Sequence, residues 1–225
     1  PNAGSHDAGH EMPLSDFTGP DAVDNWSADL DRRWPEREHA SRAIVTLIAT
    51  WSADQKARPA RVLELGIGSG HLAGAVLDAI DESSLAGAAY TGLDIEVRLI
   101  DHGRGRLVEG RAPARIGLRQ VDLNGPDWHV GLSPADVAFS LQSIHDLAGY
   151  EALRNVYQRL FRLLKPGGLM INADFVEPFA KDDPEKPRRF PVERHRELLT
   201  TIGFADFAHS RHGQLACMAA VRPTA

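Results

Sequence analysis

The stretch LELGIGSGH, Leu63–His71, places Gly66, Gly68 and Gly70 directly behind an apolar run that begins at Val62. Apolar residues then recur at Leu72, Val76, Leu77 and Ile80, the spacing of one helical face. The reading that follows is strand, glycine turn, helix. Without Cβ atoms, the turn lets backbone amides and the next helix's N-terminus come close to a ligand. A triphosphate loop would carry Lys and then Ser or Thr after its last glycine, and His71 stands there instead. A dinucleotide remains a rival, although its fingerprint is G-x-G-x-x-G and these glycines read G-x-G-x-G.

Working outward, strands alternate with helices and no repeat interrupts them. The first strand is RVLEL, Arg61–Leu65, and the helix ahead of it begins near Pro35 and carries Ala40, Ile44, Leu47, Ile48 and Trp51 on one face. AYTGLD, Ala89–Asp94, is the second strand, followed by a helix from about Glu96 to Val108 that Gly103 and Gly105 weaken by roughly 1 kcal/mol each. RIGLRQVDL contains the third strand and DVAFSL, Asp136–Leu141, the fourth. Leu153, Val156, Tyr157, Leu160, Phe161 and Leu164 trace a helix that KPGG, Lys165–Gly168, terminates ahead of the fifth strand, LMINADF. A polar surface loop, EPFAKDDPEKPRRFP, leads to a helix around Val192–Ile202, and FADFAHS and QLACMAAV supply a closing antiparallel pair. The fold expected is α/β: a seven-stranded, mostly parallel Rossmann-like sheet with an antiparallel last strand and helices on both faces, over 35–225, preceded by a flexible lid segment, 1–34. In such sheets ligands bind beyond the strands' carboxyl ends, beside the first strand, where the glycines fall.

Bulk properties agree with one domain. The 225 residues are 43% hydrophobic and 25% charged, enough for a sizeable core. A formal net charge of −6 with no long Lys/Arg run gives no footprint for nucleic-acid phosphates or an anionic membrane, so a small molecule is the expected partner. The lone Cys217, within LACMAAV, reads as a buried, inert thiol. No apolar run reaches the roughly 18 residues of a membrane span, and the start lacks the character of a signal peptide, so a cytoplasmic location is expected. His6 and His10 read as part of a disordered start rather than metal ligands, and monomer and homodimer both stay open.

VLELGIGSG, Glu64 two residues before Gly66, Asp94 at the end of the second strand, VDL at Val121–Leu123, ADVAFSLQSIHDL and LLKPGGLMINADF follow one another over about Val62–Asp174. In that order they resemble the class I S-adenosylmethionine-dependent methyltransferases of small-molecule type. The resemblance implies S-adenosylmethionine as cofactor, with S-adenosylhomocysteine as product. Glu64 would meet the ammonium of its methionine part, and the amides of Gly66, Gly68 and Gly70 would border the carboxylate and sugar. Asp94 would hold both ribose hydroxyls, Ile95 would lie on the adenine face, and Asp122 and the Leu123 amide would meet the adenine edge. Ser140 and Leu141 would border the sulfonium, and Arg33 would pair with the cofactor carboxylate.

A sulfonium methyl is already activated, so transfer needs the acceptor held in line and water kept out. A hydroxyl or protonated amine also needs a base. His145, in SIHDL after the fourth strand, is the candidate, with Asp174 to orient it or touch substrate; Asp146 stands where related members often carry a second His. Gln142 and Trp34 are the candidate substrate contacts. Trp26 and Trp34 are also candidates for a substrate lid, with packing as their bland reading; beside the other roles stand Asp94 as a helix cap, Asp122 as a turn residue and His145 as a loop histidine. His195, His209 and His212 carry no pattern, and no metal-ligand spacing emerges from His145, Asp146 and Asp174. A nucleic-acid or protein methyltransferase and a nicotinamide-dependent oxidoreductase remain the alternatives; SLQS replaces the Asn/Asp-Pro-Pro-aromatic tetrad common in base-amine methylation.

Overall fold

The computed structural model describes residues 12–56, 58, 60–83 and 85–224; His6 and His10 lie outside them. In chain order the elements are α1 (Ala22–Arg33), α2 (Glu36–Ala53), β1 (Arg61–Leu65), α3 (His71–Asp81), β2 (Ala89–Asp94), α4 (Val97–Val108), β3 (Ile116–Gln120), β4 (Ala135–Leu141), α5 (Tyr150–Leu163), β5 (Leu164–Phe175), α6 (Val192–Ile202), β6 (Ala205–His212) and β7 (Leu215–Val221). The strands form one sheet in the order β3-β2-β1-β4-β5-β7-β6. β7 runs antiparallel to β5 and β6, and the other neighbours pair in parallel. The expected Rossmann-like sheet with its antiparallel last strand is the fold of the chain.

Strand alternation sends neighbouring side chains to opposite faces. In β1, Val62 joins a core with Ile44, Ile48, Val76, Ile80, Ile100 and Leu107 of α2, α3 and α4. Leu63 and Leu65 point the other way, toward Leu153, Val156, Tyr157 and Leu160 of α5 and Leu198 and Leu199 of α6. β4 lies mid-sheet and is buried along its whole length, which is why DVAFSL reads as a continuous apolar run rather than an alternating one. At the amino ends of β1, β4 and β5, Asp136 accepts from Arg58 (2.6 Å), the Arg61 amide (2.8 Å) and Lys165 (2.8 Å). Burial raises the Asp136 carboxyl, but Arg58, Lys165 and the amide together hold it below the ordinary range. Cys217 is buried as expected, and burial pushes its thiol up to about 12.

Two local features depart from the sequence reading. The segment ahead of Pro35 contains helix α1, which buries Val23 and Leu30 and closes ion pairs from Asp29 to Arg32 and Arg33 one turn on. Val23 packs with Leu14 and with Leu99 of α4, so α1 is tied to the body of the domain. The second is KPGG, which ends α5 but lies within β5. Between the paired positions Ala135↔Leu164 and Val137↔Leu169, β5 carries extra residues, and Gly167 takes φ +78° to accommodate them. Among the described residues no helix is long and apolar enough to cross a membrane.

Candidate functional site

A cleft of about 460 Å³ opens at the carboxyl ends of β1, β2 and β4, where the strand order reverses. Gly66 and Gly68, at φ +75° and +55°, turn the chain out of β1. A Cβ at Gly66 would collide with Ser143 Oγ, and one at Gly68 would touch the Trp26 ring at 3.9 Å. The glycines therefore let the β1 turn pass beneath α1 and beside the loop after β4, as close backbone approach requires. The turn's amides also bind the next strand: Gly66 N and Ile67 N donate to Leu93 O at 2.8 and 3.0 Å.

Two carboxylates flank this turn. Asp94 Oδ2 accepts from Gly68 N (3.1 Å) and Oδ1 from Glu96 N (3.0 Å). Burial raises its carboxyl above the ordinary range, against the pull of the Glu96, Gly68 and Ile95 amides. Glu64 is buried on the floor, where Tyr90 donates its hydroxyl to Oε2. Burial pushes Glu64 well above the usual carboxylate range; the Tyr90 hydrogen bond and Arg37 oppose the shift, and Asp94 adds to it. Gly92 makes the Glu64–Tyr90 contact feasible, since a Cβ there would lie 2.7 Å from the Tyr90 hydroxyl. Ile95, 62% exposed, and Leu99, Val121 and Leu123 give the opposite end an apolar surface.

Of the residues singled out in the sequence, Glu64, Gly66, Gly68, Asp94, Ile95, Asp122, Leu123, Leu141 and Gln142 line this cleft together. Asp122 Oδ1 also accepts from the amide and side chain of Asn124 (2.9 and 3.0 Å), the turn expected as its bland alternative. Helix α4 is capped by Glu96, which accepts from Arg98 N, rather than by Asp94. Gly70, Ser140, Arg33 and Trp34 do not line the cleft. Gly70 caps α3 at φ +78° and packs against Gly103. Ser140 is fully buried within β4, Arg33 Nε donates to Asp29 (2.6 Å), and Trp34 packs on Phe175 and Phe179. Arg37, past the bend in the first turn of α2, reaches the cleft instead, bonded to Gln142 and paired with Asp31 at 3.0 Å. Trp26, the other lid candidate, also lines it, as do Ser69, His71 and Ser143, which were not singled out for binding. RRWPER supplies three arginines within six residues, and which one faces the cleft depends on the bend between α1 and α2.

His145 and Asp174 come together as the sequence reading placed them. His145 Nδ1 lies 2.7 Å from Asp174 Oδ1, and Asp174 Oδ2 accepts from the His145 amide at 2.9 Å. Burial raises Asp174, but His145 and the amides of Phe175 and His145 hold it below the ordinary range. The pair sits behind the cleft wall rather than on it, with the His145 side chain 1% exposed. Arg188 covers it, donating to His145 O (3.2 Å) and to Asp146 (2.7 Å), and Asp146 itself lines the cleft. Across Arg37, His71, Leu72 and Leu141 the cleft adjoins a second cavity of about 350 Å³. Among the described residues no cluster of three or more His, Cys, Asp or Glu is placed to hold a metal.

A seven-stranded sheet of this order, with a glycine turn and an acidic strand end at its switch point, defines the class I methyltransferase architecture. Residues 63–170 match the family model of the methyltransferase domain. Over 126 residues the chain is 30% identical to highly reducing polyketide synthase 2 of Gibberella zeae; the match spans 52% of this chain and 5% of that much longer protein. Two solved structures share the fold at a TM-score of 0.67: an O-methyltransferase family protein from Burkholderia thailandensis (16% identity, 95% of this chain and 64% of that one) and the DszA carbon methyltransferase (18%, 84% and 55%). The cyclase SpnF shares it too, at a TM-score of 0.60 and 17% identity over 81% of each chain. The chain thus has the class I methyltransferase fold, and the stretch from β1 into β5 matches the methyltransferase domain.

Proposed function

We propose that the chain transfers the methyl group of S-adenosylmethionine to a small-molecule acceptor. The observation that carries this reading is the juxtaposition of Asp94, braced by Gly68 N, with buried Glu64 across one glycine turn. A carboxylate whose two oxygens are already aimed by amides suits a pair of ribose hydroxyls. Glu64, destabilised as an anion by burial, gains most from a cationic partner such as the methionine ammonium. Ile95, Leu99 and Leu123 offer an adenine ring an apolar seat, and Arg37 offers the methionine carboxylate a cation in place of the Arg33 expected. The bound cofactor supplies an electrophilic methyl on a sulfonium.

The chain's own residues then position, exclude water and accept a proton. Trp26 of α1 covers Gly68, the arrangement expected of a lid over the bound cofactor. The part of the cleft beside Gln142 and Asp146, next to the His145 wall, is the place for the acceptor. With His145 Nδ1 engaged by Asp174, Nε2, 3.7 Å from Asp146 Oδ1, is the ring nitrogen that would act as base, and Asp174 stabilises the imidazolium that forms. Arg188 and its segment must part for an acceptor to reach it. The acidic balance favours a small acceptor over a polynucleotide, and a cytoplasmic setting suits a chain whose single cysteine is buried.

Titration calorimetry tests the reading. Binding of S-adenosylmethionine and S-adenosylhomocysteine with no heat from NAD supports it; binding of NAD alone overturns it. The sharing of this fold with a cyclase makes the companion assay necessary, namely transfer of labelled methyl from the cofactor into small-molecule extracts.

A further inference from the structure

Gln142, the first residue past β4, holds φ +48°, a left-handed conformation that L side chains adopt at a cost. Its amide donates to Ala173 O at 2.8 Å, which fixes the backbone there. Its side chain lines the cleft, and Oε1 accepts from Arg37 Nη1 at 2.8 Å. A guanidinium only donates, so this contact decides the orientation of the amide: oxygen toward Arg37, NH2 away from it. That Nε2 is shut off from water and has no hydrogen-bond partner among the described residues. An unsatisfied buried donor at a strained position beside a ligand cleft is a specific cost, and such costs accumulate where a ligand is to be met.

Resting on the methyltransferase reading above, we infer that Gln142 is a specificity residue whose Nε2 donates to an electron-rich oxygen of the acceptor, at or next to the atom that receives the methyl. The matching acceptors are phenolates, enolates and other carbonyl-derived oxygens. A protonated amine has no lone pair to offer this donor. Arg37 reinforces the choice twice: its bond to Oε1 polarises the amide and strengthens the NH2 as a donor, and its charge favours an anionic oxygen nearby. With the wall closed the donor is sheathed, so the contact forms as cleft side chains part to admit the acceptor.

The test uses the full chain saturated with S-adenosylhomocysteine and two matched probes, 4-nitrophenol and 4-nitrobenzylamine. Wild type is expected to bind the phenolate in preference to the ammonium, and to shift the phenolate absorption band to lower pH than in buffer. Gln142→Glu keeps a partner for Arg37 and removes the donor, but it also adds a charge. Gln142→Gly accepts φ +48° and removes the donor without adding one. Both are expected to weaken phenolate binding about tenfold or more and to abolish the shift of its band, with each variant held saturated with S-adenosylhomocysteine at a concentration set by its own affinity. A wild type that ignores the phenolate, a preference for the ammonium, or a Gln142→Gly protein that binds and shifts the phenolate as wild type does would overturn the inference. Failure of wild type to bind S-adenosylhomocysteine would instead sink the methyltransferase reading beneath it.

Discussion

Asp94 holds two backbone amides with the same two oxygens it is proposed to offer a ribose. Each already accepts one backbone amide, which leaves each with lone-pair capacity for a hydroxyl and no freedom to swing away. Asp94→Ala is therefore expected to weaken cofactor binding on the order of 10²-fold, because a buried pair of hydrogen bonds is lost; calorimetry with S-adenosylhomocysteine reads it. Gly66→Ala meets both a positive φ and Ser143, so a loss of roughly 1–3 kcal/mol in thermal or urea unfolding is expected together with impaired cofactor binding. His145→Ala separates base catalysis from positioning: turnover is expected to fall about 10² to 10⁴-fold with cofactor affinity retained, and undiminished turnover would leave positioning alone. Sequence spacing put Asp94, Gly66 and Gly68 at the cleft because their positions are set by the strands that precede them, whereas Gly70 caps α3. It missed Arg37 and misplaced Trp34, whose surroundings come from β5 and the segment after it.

At the scale of elements, α1 is the piece whose motion matters most. Asp24 pairs with Arg106 of α4 (2.7 Å), Ser27 bonds Ser69 (3.0 Å), and Trp26 covers the glycine turn, so α1 fastens to the cleft as well as, through Leu30, to the core. Trp26→Ala is expected to lower cofactor affinity about tenfold while leaving the melting temperature nearly unchanged, a split that calorimetry and thermal unfolding together would show. A signal for α1 was present, since Val23, Trp26 and Leu30 sit three and four residues apart; the polar residues around them hid it. His195 gave no signal at all. Asn172 of β5 donates to the Tyr157 hydroxyl (3.1 Å), which lies 2.8 Å from His195 Nδ1, tying α6 to α5 and β5 through one buried chain. Only the tertiary fold brings those three residues together.

For the molecule as a whole, the buried titratable groups pull in two directions: Glu64 and Asp94, held above the ordinary range, favour the fold more as pH falls, and His195, Asp136 and Asp174 favour it less. Burial lowers His195 from 6.5 to about 4, so the unfolded chain binds its proton first as pH falls. The His195 contribution is fully present above pH 6.5 and is lost toward pH 4, on the order of 3 kcal/mol. Asp136 and Asp174, both held below the usual carboxylate range, add stability above that range and lose it as pH drops through their folded values. Urea unfolding of wild type against His195→Gln is therefore expected to show a His195-dependent loss of stability between pH 6.5 and pH 4 that the variant lacks, with Glu64 and Asp94 contributing equally to both proteins. The order of strands and helices was legible because glycine turns, apolar runs and helical spacing are local signals. The access of His145 was not, because its cover is formed by Arg188, forty-three residues further along the chain.

The account turns on whether the glycine turn and its two carboxylates hold an adenosyl sulfonium or its product. A crystal structure of the chain with S-adenosylhomocysteine measures this directly. The account expects both ribose hydroxyls within hydrogen-bond distance of Asp94, the adenine against Ile95 and the methionine ammonium toward Glu64. A ribose elsewhere, with Asp94 still facing only the Gly68 and Glu96 amides, would contradict it.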